Sequence, residues 1–324
     1  MNVQLIQGLL LAFALVVILM RPYLRLLRWM GFGKHIREEE PDTHYHKEGT
    51  PTMGGLLMIG VALVLTVVLG IFDASTYAPA LALAGVGALG GIDDYLNART
   101  GVGLRVRQKL AWQIVVAVVA AIYIQRHYDF TGFRAPFIGD VHVEPWLFIL
   151  LAAVAIVSAI NGVNITDGLD GLAAGTLMFS FAAYAIIALL NVPNQENLAV
   201  FSMIIIGALL GFLWFNVHPA QIFMGDSGAL SMGAALAVTA LITGQVLILP
   251  LIGIIFVVET TSVIIQVVSC KLVRRRVFRM TPIHYQFELQ GWDEEKVTMR
   301  FWIIAALAAM LGVVLFLSSL HKLA

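Results

Sequence analysis

The chain predicts an all-α integral membrane protein with about ten transmembrane helices. Of its 324 residues, 60% are hydrophobic and only 12% are charged. The charges cluster between apolar runs of membrane-spanning length, and the mean hydropathy is +0.88. An ordinary soluble core does not need so apolar a chain. A single cysteine, Cys270, excludes an internal disulfide framework. The net charge of zero says little, because in a membrane protein the placement of charge matters more than its sum, and no nucleic-acid partner is expected.

The spans follow in order. Val3–Met20 has no small-residue cleavage site after it and runs straight into Arg21, Arg25 and Arg28, which marks a retained helix. Next come Gly54–Phe72, Tyr77–Ile92, Leu110–Gln125, Trp146–Ile160, Leu172–Leu190, Leu198–Phe215 and Ala229–Thr243. Gly244 alone divides the eighth span from the ninth, Gln245–Cys270, which carries Pro250, Gly253 and Glu259 and is therefore expected to bend or break. Phe301–Leu320 is the tenth. The outer segment 127–145 alternates Phe130, Phe133, Phe137, Val141 and Val143 with Gly132 and Gly139, compatible with a small hairpin. No soluble domain or repeat interrupts the pattern, so residues 1–324 read as one membrane domain.

The basic residues orient these spans. Loops 21–53, 93–109 and 271–300 carry 6, 4 and 7 Lys/Arg, against 3 on the other side (Arg126, Arg134 and Lys322). The basic loops are expected in the cytoplasm, with both termini periplasmic.

On that topology every polar cluster faces the cytoplasm. The clusters are Asp93-Asp94, the run Asn161, Asn164, Asp167 and Asp170, then Asn216 with Asp226, and His284 with Glu288. Each lies at the end of an apolar span, where a charge is costly and hence a functional candidate. Plainer readings stand beside these. Adjacent acids are often a solvated helix end, and Asp226 or Ser227 equally reads as a helix cap. Asp93-Asp94 at a helix C-terminus opposes the helix dipole and needs a cation: a metal, or Arg99, Arg105, Arg107 or Lys109. A cap explains Asp167 or Asp170, but not both together with Asn161 and Asn164. Phe223 suits either lipid contact or stacking on a base. His284, His44, His46 and His218 show no zinc-ligand spacing. Glu259 is left without a role. Acids and amides ringed by Lys/Arg at a membrane edge favour phosphate chemistry with a Mg²⁺-type ion and a lipid-borne reactant.

Four motifs resemble the polyprenyl-phosphate N-acetylhexosamine-1-phosphate transferase superfamily. They are Thr50-Pro-Thr-Met-Gly-Gly55, Asp93-Asp94, Asn161-Gly-Val-Asn-Ile-Thr-Asp-Gly-Leu-Asp-Gly171 and Phe223-Met-Gly-Asp-Ser-Gly228. Met280-Thr-Pro-Ile-His284, followed by Phe287-Glu-Leu and Gly291-Trp292, is similar to the phospho-N-acetylmuramoyl-pentapeptide transferase family within it. The resemblance covers essentially the whole chain. It implies transfer of phospho-MurNAc-pentapeptide from UDP-MurNAc-pentapeptide to undecaprenyl phosphate. The products are lipid I and UMP, made with Mg²⁺ at the bacterial inner membrane during peptidoglycan synthesis.

By matching position, Asp226 would be the metal ligand and Asp93 and Asp94 would serve catalysis. Phe223, Asn216 and Asp167 would hold the uridine end. Lys47 and Lys109 would lie near the phosphates. Thr52, Asn161, Asn164 and His284 would complete substrate binding. A homodimer is the assembly the resemblance implies. One departure matters: the family has three consecutive histidines where this chain has His284-Tyr285-Gln286. Tyr and Gln donate hydrogen bonds but carry no proton at neutral pH as His does.

The rival readings are a sister enzyme transferring GlcNAc-1-phosphate, an ion-coupled transporter and an inactive scaffold. The acidic motifs fit both transferases; the His284 loop favours the muramoyl donor. A transporter would want midplane carboxylates, and Glu259 is the one candidate.

Overall fold

The computed structural model describes residues 3–33, 47–128 and 132–320. His44, His46 and Phe130 lie outside them. Among the described residues, nine helices are long and apolar enough to cross a membrane. In order these are α1 (Val3–Met30), α3 (Ala74–Thr100), α4 (Val106–Tyr128), α5 (Pro145–Thr166), α6 (Leu172–Leu190), α7 (Glu196–Asn216), α8 (Gly225–Ile242), α10 (Ile254–Leu272) and α12 (Glu294–Leu320). The remaining expected span, the second in order, is the shorter α2 (Gly54–Val68). At 1.5 Å per residue it covers only about 22 Å, less than a typical hydrocarbon core. Two short helices complete the set, α9 (Leu249–Ile252) and α11 (Ile283–Glu288).

Several helices run past the apolar stretch that announced them. The third continues to Thr100 and ends on Gly101 in the left-handed region, so Asp93-Asp94 sits two turns inside it, not at its end. The fifth continues to Thr166 and takes in Asn161 and Asn164. A helix satisfies its own backbone wherever partner helices shelter its polar side chains, so a drop in hydropathy does not end it.

The ninth span is broken, as expected. After a single 3-10 turn (Val246–Ile248), Pro250 sits in the first turn of α9, and Gly253 separates α9 from α10. The hairpin is also present: β1 (Gly132–Ala135) pairs antiparallel with β2 (Gly139–His142), Phe133 opposite Val141. Phe137 belongs to its turn, at φ 66°.

Small residues draw the site-bearing helices together. A Cβ on Gly90 of α3 would collide with the backbone of Asp226, and one on Gly55 of α2 with that of Gly228. Gly233 of α8 meets α5 backbone in the same way. Helix α8, rich in Gly, Ala and Ser, is buried almost all round. Lipid offers no hydrophobic drive for helix association, so close backbone approach of this kind does the packing. The remote helices α1 and α7 repeat it, with Gly207 and Gly211 set against Leu9, Phe13 and Val16.

Candidate active site

The site is assembled where α2, α4, α5 and α8 end or begin, beside the last turns of α3. The chain on either side of Met53 and the segment Phe223–Met224 are joined through the backbone. Phe223 N donates to Pro51 O (2.8 Å), Gly54 N to Phe223 O (2.9 Å) and Gly55 N to Met224 O (2.9 Å). Met53 takes a left-handed φ of 75°, and its carbonyl accepts from Tyr23 Oη at 2.9 Å. Two of the recognised motifs are thus one structural unit, which carries Thr52, Phe223 and Asp226 together.

Asp226 stands in the first turn of α8. Its Oδ1 accepts from Asn164 Nδ2 (2.9 Å) and its Oδ2 from Lys109 Nζ (2.7 Å). Lys109 Nζ also contacts Asp93 Oδ2 at 2.5 Å, and Asp93 accepts from Leu104 N. One ammonium therefore bridges carboxylates from two helices. The Asp226 side chain is 25% exposed and that of Lys109 21%, so the bridge is open to a ligand.

Asp94 does something different. It is buried, and its two oxygens accept from the backbone of Asp226 (2.9 Å) and Ser227 (3.0 Å). A carboxylate on α3 thus caps the N-terminus of α8, where free N–H groups and the helix dipole favour an anion. A Cβ on Gly225 (φ +75°) would meet Asp94 Oδ2 and Thr52 Oγ1, which places Thr52 at the same spot.

A second cluster lies beside the first. Lys47, buried, donates to Asp170 Oδ1 (2.9 Å) and to Glu294 Oε1 (2.6 Å). Asp170 Oδ2 meets His218 Nδ1 (2.9 Å) and Ala220 N (3.0 Å), and Glu294 Oε1 also takes Asp170 N (2.6 Å). Burial alone would lower the Lys47 pKa, but the facing Glu294 and Asp170 carboxylates outweigh it and hold it above the usual lysine value. Burial alone would raise Asp170, but Lys47 and the amide of Ala220 hold it below the usual carboxylate range. Asp170, His218 and Glu294 are spaced closely enough to share a metal ion, but Lys47 already supplies the positive charge among them.

The remaining expected residues fall at the margins. Asn216 is buried with both amide ends engaged: Oδ1 accepts from Gly171 N and Nδ2 donates to Ile222 O, each at 2.9 Å. Asn161 donates to Gln113 Oε1 (2.8 Å) and Val157 O, facing α4, with no hydrogen bond to Asp226. Asp167 is the half-buried residue capping the end of α5, and Phe223 is half-buried. His284 is fully buried against Gly168 and Glu259.

The departure from three histidines has a local role. Tyr285 is buried among Leu169, Leu172, Val297 and Phe301, and Gln286 Oε1 accepts from Arg279 N (3.3 Å). Phe287 stacks on Trp292 with centroids 4.9 Å apart, and Arg300 lies 4.1 Å over that indole. These residues build the loop that seats His284.

Sequence reasoning passed over Glu294, His218 and Gln113. Glu294 opens α12 in an acidic first turn of the kind any helix shows, so no local signal marks it. The partners of His218 and Gln113 are 48 residues away in sequence. A hollow of about 750 Å³ on the opposite face, between the hairpin and the α6–α7 link, gathers none of the expected residues.

Comparison with known proteins finds a family. Residues 76–244 match the model of glycosyl transferase family 4. Over 310 residues the chain is 42% identical to a phospho-N-acetylmuramoyl-pentapeptide-transferase of Anoxybacillus flavithermus, covering 94% of this chain and 95% of that one. It is 41% identical over 313 residues to the Bacillus subtilis protein of the same name, again covering 94% and 95%. A Geobacillus relative of that name is 41% identical over 313 residues, covering 94% of this chain and 96% of its own length. The chain belongs to glycosyl transferase family 4 and, within it, to the phospho-N-acetylmuramoyl-pentapeptide-transferase family.

Proposed function

We propose that this protein transfers phospho-MurNAc-pentapeptide from UDP-MurNAc-pentapeptide to undecaprenyl phosphate, releasing UMP and forming lipid I. The observation that carries it is the Asp93–Lys109–Asp226 bridge, built from three helices in a chain of this family. The site would face the cytoplasm of a bacterial inner membrane, with both termini periplasmic, because the basic loops lie on the site's side. The homodimer expected by resemblance remains part of this reading.

Both reactants are anions, so the site must supply positive charge where they meet. The donors fit Mg²⁺: the carboxylates of Asp226 and Asp93 and the amide oxygen of Asn164 are hard oxygen ligands, two of them already held by a cation. Asp226 would be the principal ligand, with Lys109 turning from it toward the diphosphate. Bound Mg²⁺ would neutralise the diphosphate and stabilise the leaving UMP. Asp93 would accept a proton from the lipid phosphate. Asp94 holds Asp226 in position by capping its helix. Phe223 would stack on uracil, flanked by Asp167. Asn216, with both amide ends engaged, would fix the loop that carries Phe223. Lys47 would hold the adjoining Asp170 turn from within its buried network.

The lipid would approach along a groove beside the broken span. Ala155, Ser158 and Gly162 of α5, Pro250 and Gly253 at the break, and Phe256 of α10 line an apolar groove of about 320 Å³. The break removes helix from the bilayer face and leaves room for a polyprenyl chain. Against the transporter reading, Glu259 is fully buried and accepts from the backbone of Ile283, and is not placed along an open path.

The test is UMP release by purified protein with undecaprenyl phosphate and Mg²⁺, offering UDP-MurNAc-pentapeptide and UDP-GlcNAc separately. UMP from the muramoyl donor alone is expected. UMP from UDP-GlcNAc alone would make this the sister enzyme instead.

A further inference from the structure

Glu259 is a carboxylate within a membrane-spanning helix, and the transfer chemistry described so far does not use it. It is fully buried in α10, as is His284 in α11. Glu259 Oε2 accepts from Ile283 N at 2.8 Å, which ties the start of α11 to α10. Glu259 Oε1 lies 3.2 Å from His284 Nδ1, close but not aligned as a hydrogen bond. Neither His284 nitrogen has a hydrogen-bond partner among the described residues. An unprotonated Nδ1 would set its lone pair against a carboxylate oxygen in a buried site, which is costly. The carboxylate therefore keeps the proton on Nδ1, as acids behind functional imidazoles do.

That choice fixes what the other nitrogen presents. His284 Nε2 lies against the 167–171 turn, so close to Gly168 that a Cβ there would collide with it. Tyr285 Oη meets the same position. The turn carries Asp167 and Asp170, and Gly171 N is held by Asn216. A contiguous set of contacts thus runs from Glu259 through His284 to the turn beside the Asp226 cluster.

We propose that Glu259 is a positioning residue for the transfer reaction, acting through His284 on the 167–171 turn. The role rests on the activity proposed above. Glu259→Gln retains an acceptor for Ile283 N and removes the charge facing the imidazole. Removing a carboxylate behind a metal-bound histidine typically costs about 10–100-fold, and a loss on that scale is expected here.

The experiment measures kcat and KM for UMP release, with the unfolding midpoint, for wild type, E259Q, H284Q and the double variant. E259Q is expected to lower kcat roughly 10–100-fold. KM and the midpoint should stay near wild type, and the double variant should be no slower than H284Q alone. Wild-type kcat in E259Q would overturn the proposal, as would a double-variant loss equal to the product of the two single losses. If E259Q does not fold, Gly168→Ala crowds the same contact from the other side, and its wild-type kcat would overturn the proposal. Wild-type protein that releases no UMP from the muramoyl donor would overturn the activity itself, and this role with it.

Discussion

Lys109 holds Asp93 and Asp226 together: its ammonium lies 2.5 Å from one carboxylate and 2.7 Å from the other. The residues come from α4, α3 and α8, and Lys109 lies 117 residues from Asp226 in sequence. The distance from ammonium to carboxylate sets the charge balance of the site. Replacing Lys109 by Met would leave a buried carboxylate (Asp93) facing a half-buried one (Asp226), and breaking a buried ion pair costs about 3–5 kcal/mol. K109M is therefore expected to lose both fold and activity. K109R should keep the unfolding midpoint while losing much of kcat, because a planar guanidinium does not place one charge between two acids as an ammonium does. Thermal unfolding and UMP release, measured side by side, check this.

Asp94 and Asp226 should separate in their effects. Asp94 caps α8 through two amides, and removing a cap costs about 0.5–2 kcal/mol. D94A is expected to lower the unfolding midpoint together with activity. D226N keeps the shape and loses the charge, so the midpoint should barely move while kcat falls by roughly 10²–10³-fold or more. A D94A protein as stable as wild type would argue against the cap.

Gly90 tests the helix contact that makes the site possible. A methyl group there would press on the backbone of Asp226 and Ser227. Overpacking of this kind costs about 1–3 kcal/mol. G90A is expected to reduce both stability and turnover although no chemical group is lost. Wild-type turnover in G90A would show that α3 and α8 can separate without harm.

The Lys47–Asp170 pair sets a pH window for stability. Lys47 has its folded pKa raised, so its contribution is full below the usual lysine value and lost as pH rises through the higher folded value. Asp170 has its folded pKa lowered, so its contribution is present above the usual carboxylate value and lost as pH falls through the lower folded value. The unfolding midpoint should therefore drop at both extremes, and K47M should flatten the alkaline limb. A K47M curve parallel to wild type there would remove the pair from the explanation.

Much of this was legible in the sequence. The ten apolar runs reappear as ten helices, the broken ninth and the hairpin included, because hydrophobic length and Gly/Pro placement are local properties. Asp93, Lys109, Asn164 and Asp226 could be singled out by type and motif, and the fold brings them together. The helix ends were read too early at Asp93 and Asn161, because polarity marks where apolar surface stops, not where backbone hydrogen bonding stops. The clamp of Lys47, Asp170, His218 and Glu294 was not legible as a unit. Its members lie up to 247 residues apart, and each alone looks like an ordinary surface charge. The capping role of Asp94 was hidden for the same reason, since its amides belong to a helix 132 residues away.

The most direct measurement is formation of lipid I from UDP-MurNAc-pentapeptide and undecaprenyl phosphate, wild type against D226N, with Mg²⁺ present and then chelated. Wild type should make lipid I only with Mg²⁺, and D226N, folded as judged by its unfolding midpoint, should make little or none. Lipid I from D226N at the wild-type rate, or from wild type after chelation, would contradict the assignment of Asp226 as the metal ligand at the centre of the site.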